Sequence, residues 1–371
     1  MDRLEFKAAV AADPSLAVTV QKLSADFGKP TDVLVRIDAT SVCHTDYEAA
    51  TGRLGLPFPF VPGHEAAGTV EAVGRAVERV RVGDRVVLSW NPACGTCFYC
   101  KRDTPILCEP YVRGFGSGTL LEGDTRLSRD KQAIGHLMFL ASFAQYSIVS
   151  EQSAIAVPRE MPPEKACMIG CAVATGYGAA ERIAKIDPGD TVLVIGCGAV
   201  GLSAVQGARH AGAGCVIAAD LDDRKLEMAG RFGADVTVDV RQRDLLTEVR
   251  ARSAGRGADR VIESAGTESA FQASVEAVRP GGRVVWLGKL SANTPVSFRW
   301  GALMGEKRIR RSSYGGTRAR EDFPRLARMY LDGKLALDPM VERVGTLDDA
   351  AGFLDAIGEG KVLRNVIRPN G

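Results

Sequence analysis

The sequence predicts an α/β protein in which a β-rich domain precedes a domain built on a doubly wound parallel sheet. The first third of the chain contains short strands with alternating apolar and polar residues, such as Val33–Ile37. From Asp190 onward, apolar strands alternate with helical stretches, and a glycine-rich loop follows the strand Thr191–Ile195. This alternation is typical of a parallel sheet that helices cover on both faces.

Length and composition are consistent with two globular domains. A chain of 371 residues exceeds the size of one ordinary core, and its 46% hydrophobic and 25% charged residues are average values. The change in pattern places a first domain at residues 1–172 and a second domain at residues 173–315. Residues 316–371 are too few to fold alone, so we expect them to return to the first domain.

Each further element follows from the local pattern. Short apolar runs between glycine or charged turns predict strands, and the longer stretches between them predict helices. The expected strands are Gly68–Val73, Asp84–Leu88, Val216–Asp220, Val236–Val240, Arg260–Glu263 and Arg283–Leu287. The expected helices are Val200–His210, Arg224–Phe232, Phe323–Asp332 and Leu347–Gly358.

Charge and hydropathy argue against several classes of partner. A net charge of +2 gives no reason to expect nucleic acid or an anionic membrane. The longest apolar stretches have the length of strands, whereas a membrane span needs about 20 apolar residues. The N-terminus carries Asp2, Arg3, Glu5 and Lys7 without an apolar signal core, so we expect a cytoplasmic protein.

A glycine pattern follows the strand Thr191–Ile195 and opens the next helix. Gly196 permits a tight turn, Gly198 lets the backbone approach a pyrophosphate, and Gly201 lets helix and strand pack closely. The helix N-terminus then offers free N–H groups and a positive dipole to the phosphates. In this context the pattern predicts a dinucleotide site of the Rossmann type.

An acidic residue at the end of the next strand indicates which dinucleotide is bound. Asp220 lies 19 residues after Gly201, where a carboxylate meets the adenosine ribose hydroxyls and repels a 2′-phosphate. We therefore expect NAD, although Arg224 and Lys225 leave some room for NADP, and we include Lys225 among the cofactor-binding residues. The competing interpretation of Asp220 is a solvated charge or a helix cap.

Four of the nine cysteines crowd into fifteen residues. Four thiolates form a closed tetrahedral zinc site with no position left for a substrate, so the predicted role is structural. Free reduced thiols would not require this clustering, and a zinc ribbon for nucleic acid pairs two Cys-x-x-Cys knuckles over a longer spacer. The predicted ligands are Cys94, Cys97, Cys100 and Cys108.

Three further residues could form an open metal site. Cys43, His64 and Cys171 supply two thiolates and one imidazole, and such a set leaves a fourth coordination position for a substrate. Each residue alone is ambiguous, since an isolated cysteine is more often a small buried hydrophobic residue. Their spacing along the chain does not show that they meet in space.

Taken together, the motifs resemble those of the zinc-containing medium-chain alcohol dehydrogenases. Within that family the sequence is similar to the long, dimeric type of the animal liver enzymes and of the glutathione-dependent formaldehyde dehydrogenases, and the similarity spans essentially the whole chain. The motifs that carry it are Cys43–Asp46, Gly63–Glu65, the four-cysteine loop, Gly170–Gly178, Gly196–Gly201 with Asp220, and Tyr314–Gly316.

The resemblance implies a GroES-like catalytic domain beside the Rossmann domain. It also implies one catalytic and one structural zinc ion per chain, and hydride transfer between an alcohol or aldehyde and NAD. By resemblance, Cys43, His64 and Cys171 bind the catalytic zinc and the four clustered cysteines bind the structural zinc. The further implied site residues are Glu65 behind the catalytic metal, Asp46 beside the ligating imidazole, Thr45 as the hydroxyl that takes the substrate proton, and Arg364 at the cofactor pyrophosphate.

Two departures from the family concern the proton relay. The liver enzymes often have a histidine three residues beyond the relay hydroxyl, where this chain has Glu48. His44 stands where a basic residue commonly follows the first zinc-binding cysteine, so it could contact the pyrophosphate, accept the proton, or do both. The predicted relay from Thr45 therefore continues to His44 or to Glu48.

The predicted substrate pocket is apolar. Trp90 stands where relatives place an aromatic lining residue, and Leu54, Leu137 and Met138 add apolar side chains. These residues favour a bulky or aromatic primary alcohol, unless Trp90 fills the pocket and restricts it to small alcohols. Leu54 and Val112 also replace an acid and an arginine of the glutathione-dependent relatives, which argues against S-hydroxymethylglutathione as the substrate.

A basic residue leaves a second substrate class open. Lys289 stands where relatives usually have a small apolar residue. Either its side chain extends into solvent or lies at an interface, or it binds a negative group on an alcohol substrate.

Other functions of the same fold fit the sequence less well. A polyol dehydrogenase would have an acidic ligand in place of Cys171, and a zinc-free quinone reductase would lack both sets of metal ligands. A non-enzymatic binding or structural protein would be expected to lose ligands that are all present here. An enzyme that keeps NAD bound through its turnover stays open.

The sequence also predicts a homodimer. The loop after Cys108 has the length found in the dimeric liver-type enzymes, and the strand Arg283–Leu287 lies near the end of the predicted parallel sheet. An unpaired edge strand is a ready pairing surface, and two-fold dimers are the commonest closed assembly. We therefore expect the sheets of two cofactor domains to join edge to edge.

Overall fold

A computed structural model describes residues 4–371 of the chain and divides into two compact units. The first unit combines the chain up to Cys171 with the segment Arg318–Gly371, and the second comprises Ala172–Thr317. The C-terminal segment therefore belongs to the same unit as the N-terminal half. Asp2 and Arg3, on which the expectation about a signal segment partly rests, lie outside the described residues.

The N-terminal part of the first unit consists mainly of strands. They are β1 (Leu4–Ala11), β2 (Val18–Ala25), β3 (Asp32–Ser41), β4 (Phe60–Val61), β5 (Glu65–Val73), β6 (Arg85–Leu88), β7 (Leu127–Arg129), β8 (Gln132–His136), β9 (Tyr146–Ser150) and β10 (Ala154–Ala156). The helices are α1 (His44–Ala50), α2 (Glu109–Gly114) and α3 (Pro163–Met168), with short 3-10 turns at Cys100–Arg102, Pro105–Leu107 and Leu137–Phe139.

The second unit alternates strands and helices, as the sequence predicts. Its strands are β11 (Thr191–Ile195), β12 (Cys215–Asp220), β13 (Val236–Asp239), β14 (Ala258–Glu263), β15 (Val278–Trp286) and β16 (Arg308–Arg311). Its helices are α4 (Ala174–Gly178), α5 (Ala199–His210), α6 (Asp223–Arg231), α7 (Leu245–Ala251) and α8 (Glu268–Ala277), with a π-helical turn at Ala179–Ala184 and a 3-10 turn at Trp300–Leu303. A further π-helical turn, Ile169–Val173, begins in the first unit and ends in the second.

The C-terminal segment of the first unit contains two helices and two strands. These are α9 (Ala319–Leu331), β17 (Val341–Gly345), α10 (Ala350–Gly358) and β18 (Arg364–Ile367), with 3-10 turns at Asp338–Met340 and Leu347–Asp349. The two helices expected here are therefore present.

The first unit contains a small closed barrel and a seven-stranded sheet. The barrel has the strand order β1-β2-β7-β8-β4, and the sheet has the order β10-β6-β5-β3-β18-β17 with β9 also paired to β3. Strand β18 runs antiparallel to β3 with Val366 opposite Ser41. This pairing brings Arg364 from the C-terminal segment to the end of β3, two residues before Cys43.

The second unit contains a six-stranded parallel sheet in the order β13-β12-β11-β14-β15-β16. Strand β11 pairs with β12 and β14, and it is buried along its whole length, as expected for a central strand with helices on both faces of the sheet. The predicted doubly wound sheet is confirmed. The strand expected over Arg283–Leu287 is part of β15, but it is not the edge, because β16 pairs with it on the outer side.

Sequence patterns missed the edge strand β16. Its four residues, Arg308–Arg311, are all exposed and three of them are arginine. Such a segment lacks the apolar alternation by which strands are recognised. No helix within residues 4–371 is long and apolar enough to cross a membrane.

Candidate active site and metal centres

The four clustered cysteines lie together in the loop between β6 and β7. Their ligand atoms all lie within 4.8 Å of one another. The backbone N–H groups of Thr96 and Cys97 each donate to the Cys94 sulfur at 3.4 Å. Burial raises the pKa of Cys94, but these donors outweigh it and lower the pKa to about 6. Because such donors favour the thiolate form that binds zinc, the loop fits a closed zinc site.

A second cluster joins residues from distant parts of the first unit. Cys43 precedes α1, His64 and Glu65 stand at the start of β5, and Cys171 lies in the π-helical turn. One potential ligand atom from each of the four residues lies within 4.8 Å of the others. The fold thus brings together residues whose spacing along the chain did not show that they meet.

Asp46 orients two members of this cluster. Its Oδ1 accepts hydrogen bonds from Nδ1 of His64 at 2.9 Å and from the backbone N–H of Gly63 at 3.0 Å. Its Oδ2 accepts from the backbone N–H of Cys43 at 2.8 Å. Since Nδ1 is the donor, Nε2 of His64 keeps its lone pair, and this buried atom has no hydrogen-bond partner among residues 4–371. A metal ion beside the two cysteines would satisfy it.

The two cysteine sulfurs of the second cluster affect each other strongly. A hydrogen bond from Cys171 lowers the pKa of Cys43 well below its usual value, and the positive charge of Arg364 lowers it further. The same bond raises the pKa of Cys171 well above its usual value. These opposite shifts favour the thiolate form at Cys43, and a cation between the sulfurs would allow both to be thiolates.

The Glu65 carboxylate accepts hydrogen bonds from two other side chains. Arg364 donates from Nε to Oε2 at 3.1 Å and from Nη2 to Oε1 at 3.0 Å, and Ser41 donates to Oε2 as well. Glu65 is fully buried, and this burial raises its pKa although Arg364 opposes the rise. With Glu65 held in this way, Cys43, His64 and Cys171 leave one coordination position open, as a catalytic zinc requires.

Arg364 itself lies inside this cluster. Besides Glu65, its Nη2 contacts the Cys43 sulfur at 3.5 Å, and its side chain is almost completely buried. The sequence did not reveal this role. Its contact with a cofactor pyrophosphate stays a prediction.

In the second unit, β11 and α5 are joined by a tight glycine loop. Gly196 has a φ of +90°, and a Cβ at Gly201 would lie 1.8 Å from the Gly196 carbonyl oxygen. Glycine is therefore required at both positions. A Cβ at Gly198 would meet no atom within 4 Å, so the loop is open there. These are the features by which a dinucleotide loop admits a pyrophosphate.

Asp220 is fixed beside this loop. Its Oδ2 accepts from the backbone N–H of Cys197 at 2.6 Å, and its Oδ1 accepts from that of Leu221 at 2.7 Å. Arg224 pairs with Asp222 at 2.9 Å, so a neighbouring carboxylate balances the charge of this arginine. Lys225 follows in α6.

Comparison with known proteins identifies the family. Residues 29–159 match the model of the alcohol dehydrogenase GroES-like domain, and residues 199–332 match that of the zinc-binding dehydrogenases. The S-(hydroxymethyl)glutathione dehydrogenase of Escherichia coli O1:K1 / APEC is 34% identical over 98% of this chain and 100% of its own. The chain belongs to the zinc-dependent alcohol dehydrogenases.

Solved structures of similar proteins agree with the assignment of this chain to the alcohol dehydrogenases. The benzyl alcohol dehydrogenase of Acinetobacter calcoaceticus superposes with a TM-score of 0.93 at 29% identity, covering 98% of this chain and 99% of its own. A neighbour from Sinorhizobium meliloti 1021, solved bound to NADP, has a TM-score of 0.80 at 27% identity and covers 99% of this chain and 100% of its own.

The three relay candidates of this alcohol dehydrogenase share the short helix α1. His44 is exposed, whereas Thr45 and Glu48 are half-buried. Glu48 lies three residues after Thr45 and four after His44, and helix geometry places residues at these spacings on one face. The His44 ring also lies 5.6 Å from the Tyr47 ring, centroid to centroid. Their order in a relay stays a prediction.

The predicted pocket residues of the first unit differ in exposure. Leu137 has no exposed surface and belongs to the apolar core, against which Leu54 and Met138 pack. Leu137 could reach a substrate only if a neighbour moved. Trp90 is 5% exposed and lies beside Tyr111, with ring centroids 6.1 Å apart. The pocket assignments of all four predicted residues stay predictions.

Lys289 belongs to the second unit and follows β15. Its side chain is exposed. Its backbone packs closely against Gly266, where a Cβ would lie 2.9 Å from the Lys289 nitrogen. This contact fixes the backbone of Lys289. The role of its side chain toward an anionic substrate stays a prediction.

Sequence reasoning missed two residues beside the metal ligands. Ser41 holds Glu65, and Tyr111 packs on Trp90. Ser41 carries no motif signal of its own. Tyr111 stands three residues after the last clustered cysteine, and it could have been found only by noticing aromatic residues that follow a metal loop.

Proposed function

We propose that the chain is an NAD-linked alcohol dehydrogenase that oxidises bulky, in particular aromatic, primary alcohols and reduces the corresponding aldehydes. The observation that carries the reaction is the buried set Cys43, His64 and Cys171 with an unpartnered imidazole nitrogen. The substrate class is supported by Trp90 and Tyr111, two large rings in the unit that holds these ligands.

The residues of the chain have distinct tasks in this reaction. A zinc ion held by Cys43, His64 and Cys171 would supply Lewis acidity, and bound NAD would supply the hydride acceptor. The Thr45 hydroxyl would take the proton of the alcohol, and His44 or Glu48 would pass it to solvent. Asp46 would keep the His64 imidazole in the tautomer that leaves Nε2 free for the metal.

The cofactor assignment rests on the second unit. Gly196, Gly198 and Gly201 form the loop that would receive the pyrophosphate, and Lys225 and Arg364 are the basic residues assigned to the cofactor. The Asp220 carboxylate beside the loop favours ribose hydroxyls over a 2′-phosphate. A second zinc ion in the four-cysteine loop would have a structural role.

S-(Hydroxymethyl)glutathione, the substrate named for the E. coli relative, fits this chain less well. Glutathione carries two carboxylates, which need cationic partners. Position 112 offers an exposed valine and position 54 a leucine packed against the core. An apolar alcohol suits these side chains better.

Two alternative functions have their own tests. If the enzyme keeps NAD bound through turnover, purified protein should release NAD on denaturation and should need a second substrate to reoxidise it. If the exposed Lys289 recognises an anionic alcohol, Lys289→Met should raise the KM for a carboxylated alcohol. The KM for benzyl alcohol should stay unchanged.

We also propose that the enzyme is a cytoplasmic homodimer joined through the sheets of its second units. The exposed edge strand β16 supports the assembly, because it offers unpaired backbone groups to a second copy. Two-fold dimers are the commonest closed assembly.

Comparing kcat/KM for benzyl alcohol and ethanol with NAD tests the substrate class. Burying each additional methylene-sized group stabilises binding by about 0.8 kcal/mol, so benzyl alcohol should exceed ethanol by more than about tenfold. If ethanol is the better substrate, Trp90 fills the pocket. Trp90→Ala should then open the site to benzyl alcohol.

A further inference from the structure

Four aromatic side chains of the first unit form a continuous surface, here called the aromatic wall: Trp90, Tyr111, Phe115 and Phe139. Tyr111 is its centre, with ring centroids 6.1 Å from Trp90, 5.4 Å from Phe115 and 5.8 Å from Phe139. Phe115 is 48% exposed, whereas Tyr111 is 6% and Phe139 is 3% exposed. The aromatic wall therefore runs from the protein surface into the interior.

The backbone beside the wall is held in an unfavourable conformation. Met138 has a φ of +49° and Phe139 a φ of +65°, the left-handed region that residues other than glycine rarely adopt. Gly114 leaves room for the Phe139 ring, because a Cβ there would lie 2.9 Å from the ring. Strain of this kind persists where surrounding structure enforces it, often at ligand sites.

The hydroxyl of Tyr111 lacks a partner in this setting. It makes no hydrogen bond with any residue between 4 and 371 and keeps some accessible surface, so a bound molecule can serve as its partner. Burial raises the pKa of Tyr111, so its hydroxyl stays protonated and can act as a donor. The ring also packs on Trp90, the aromatic residue that is assigned to the substrate pocket.

We propose that Tyr111 is a specificity-determining residue whose ring packs against the aromatic ring of the substrate and whose hydroxyl donates a hydrogen bond to an oxygen substituent on that ring. The preferred substrates are then oxygenated aromatic primary alcohols. This inference rests on the proposed function. The inference goes beyond the proposed function because it names the residue that recognises the substrate and the group on the substrate that is recognised.

The decisive variant is Tyr111→Phe, which keeps the ring and removes only the hydroxyl. We compare kcat/KM for benzyl alcohol and for its 2-, 3- and 4-hydroxy derivatives in wild type and variant. Relative to benzyl alcohol, the variant should lose about 2- to 10-fold in kcat/KM with at least one hydroxybenzyl alcohol, the range of one neutral hydrogen bond. Equal losses for all four alcohols would overturn the role of the hydroxyl.

The role of the ring needs a second variant. Tyr111→Leu should lower kcat/KM for benzyl alcohol relative to ethanol by about three- to tenfold, because ring–ring contact contributes beyond buried area. An unchanged ratio would overturn it. Zinc content and thermal midpoint show whether each variant is folded and loaded.

Tyr146→Phe is the matched control, since it removes a hydroxyl from a half-buried tyrosine of the same unit that packs on Phe6. It should leave all four efficiencies unchanged. If wild type prefers ethanol to benzyl alcohol, the proposed substrate class fails by itself. The ratios of Tyr111→Phe to wild type, taken alcohol by alcohol, still decide the role of Tyr111.

Discussion

The Asp46 carboxylate lies 2.9 Å from Nδ1 of His64, and both side chains are completely buried. The same carboxylate accepts the backbone N–H of Cys43. One side chain therefore sets the ring orientation of one metal ligand and the backbone position of another. Partners of this kind commonly influence metal affinity nearly as much as the ligands do.

Asp46→Asn should weaken zinc binding at the open site by about 10- to 100-fold, because the amide lacks the charge that strengthens the bond to the imidazole. Competition with a chromogenic chelator measures this affinity directly. Asp38→Asn, which changes a carboxylate of β3 that pairs with Arg36, is the control and should leave zinc affinity unchanged. Equal zinc retention by wild type and Asp46→Asn would contradict the assigned role.

The two metal sites should respond differently to loss of a cysteine. Wild type should contain two zinc ions per chain by elemental analysis. Cys97→Ser should lose one and become markedly less stable, because the loop would lose the metal that joins its four cysteine sulfurs. Cys43→Ser should lose the other zinc and all turnover while it keeps its fold and binds NAD. One zinc per chain in fully supplemented wild type would refute the two-site assignment.

Local spacing determined how much of the site could be predicted. The glycines of the loop at Gly196 are close to one another in sequence, and so are the four cysteines near Cys94. Each motif could therefore be recognised from its local spacing. Cys43, His64 and Cys171 became a candidate site only through family resemblance, because β3, β5 and a helix must pack before they meet.

Other features depended on long-range pairing that no pattern records. Arg364 reaches Glu65 because β18 pairs with β3 across more than 300 residues of sequence. The edge strand β16 consists mainly of arginines, so its strand conformation follows from pairing with β15 and not from propensity. The fold class was predictable from periodicity, whereas these contacts required the folded backbone.

Asp220 should make NAD the preferred cofactor by more than tenfold in kcat/KM. Asp220→Asn removes the negative charge but keeps an acceptor for the backbone N–H of Cys197. The variant should have a higher KM for NAD and a smaller ratio of kcat/KM with NAD to kcat/KM with NADP. Asp223→Asn, an exposed change on the neighbouring helix α6, should leave the ratio unaltered. Equal efficiency of wild type with both cofactors would count against the assignment.

His136 should make the first unit sensitive to acid. Burial lowers its pKa to about 3, and the charge of Arg126 contributes. In the unfolded chain this residue is protonated below about pH 6.5. Between about pH 3 and pH 6.5, the unfolded state therefore binds one proton that the native state does not bind. Stability should fall as the pH drops, by about 1.4 kcal/mol per pH unit.

Urea unfolding of wild type and His136→Gln between pH 6 and pH 4 measures this contribution. In the variant, the free energy of unfolding should change less steeply with pH than in wild type, by about 1.4 kcal/mol per pH unit. The exposed His210 provides the control, since His210→Gln should keep that slope. An identical pH dependence for His136→Gln and wild type would exclude the mechanism.

Dimerisation through β16 should strengthen with salt. Arg308 lies opposite Arg283, which lies opposite Arg260 on the next strand. The pKa of Arg283 is lowered by burial and by the positive charges of Arg260, Arg308 and Arg310. Two copies of β16 joined edge to edge would bring these charges together, and like charges opposite each other destabilise a pair of strands.

Salt shortens the range of this repulsion from about 30 Å at 0.01 M to about 8 Å at 0.15 M. The dimer dissociation constant, measured by sedimentation equilibrium, should therefore fall as sodium chloride is raised over this range. Arg308→Gln should tighten the dimer at low salt and flatten the salt dependence. Lys22→Gln, an exposed change on β2 of the first unit, should do neither. A monomer or a tetramer at micromolar concentration would overturn the proposed assembly, and a dimer that weakens with salt would place its interface away from β16.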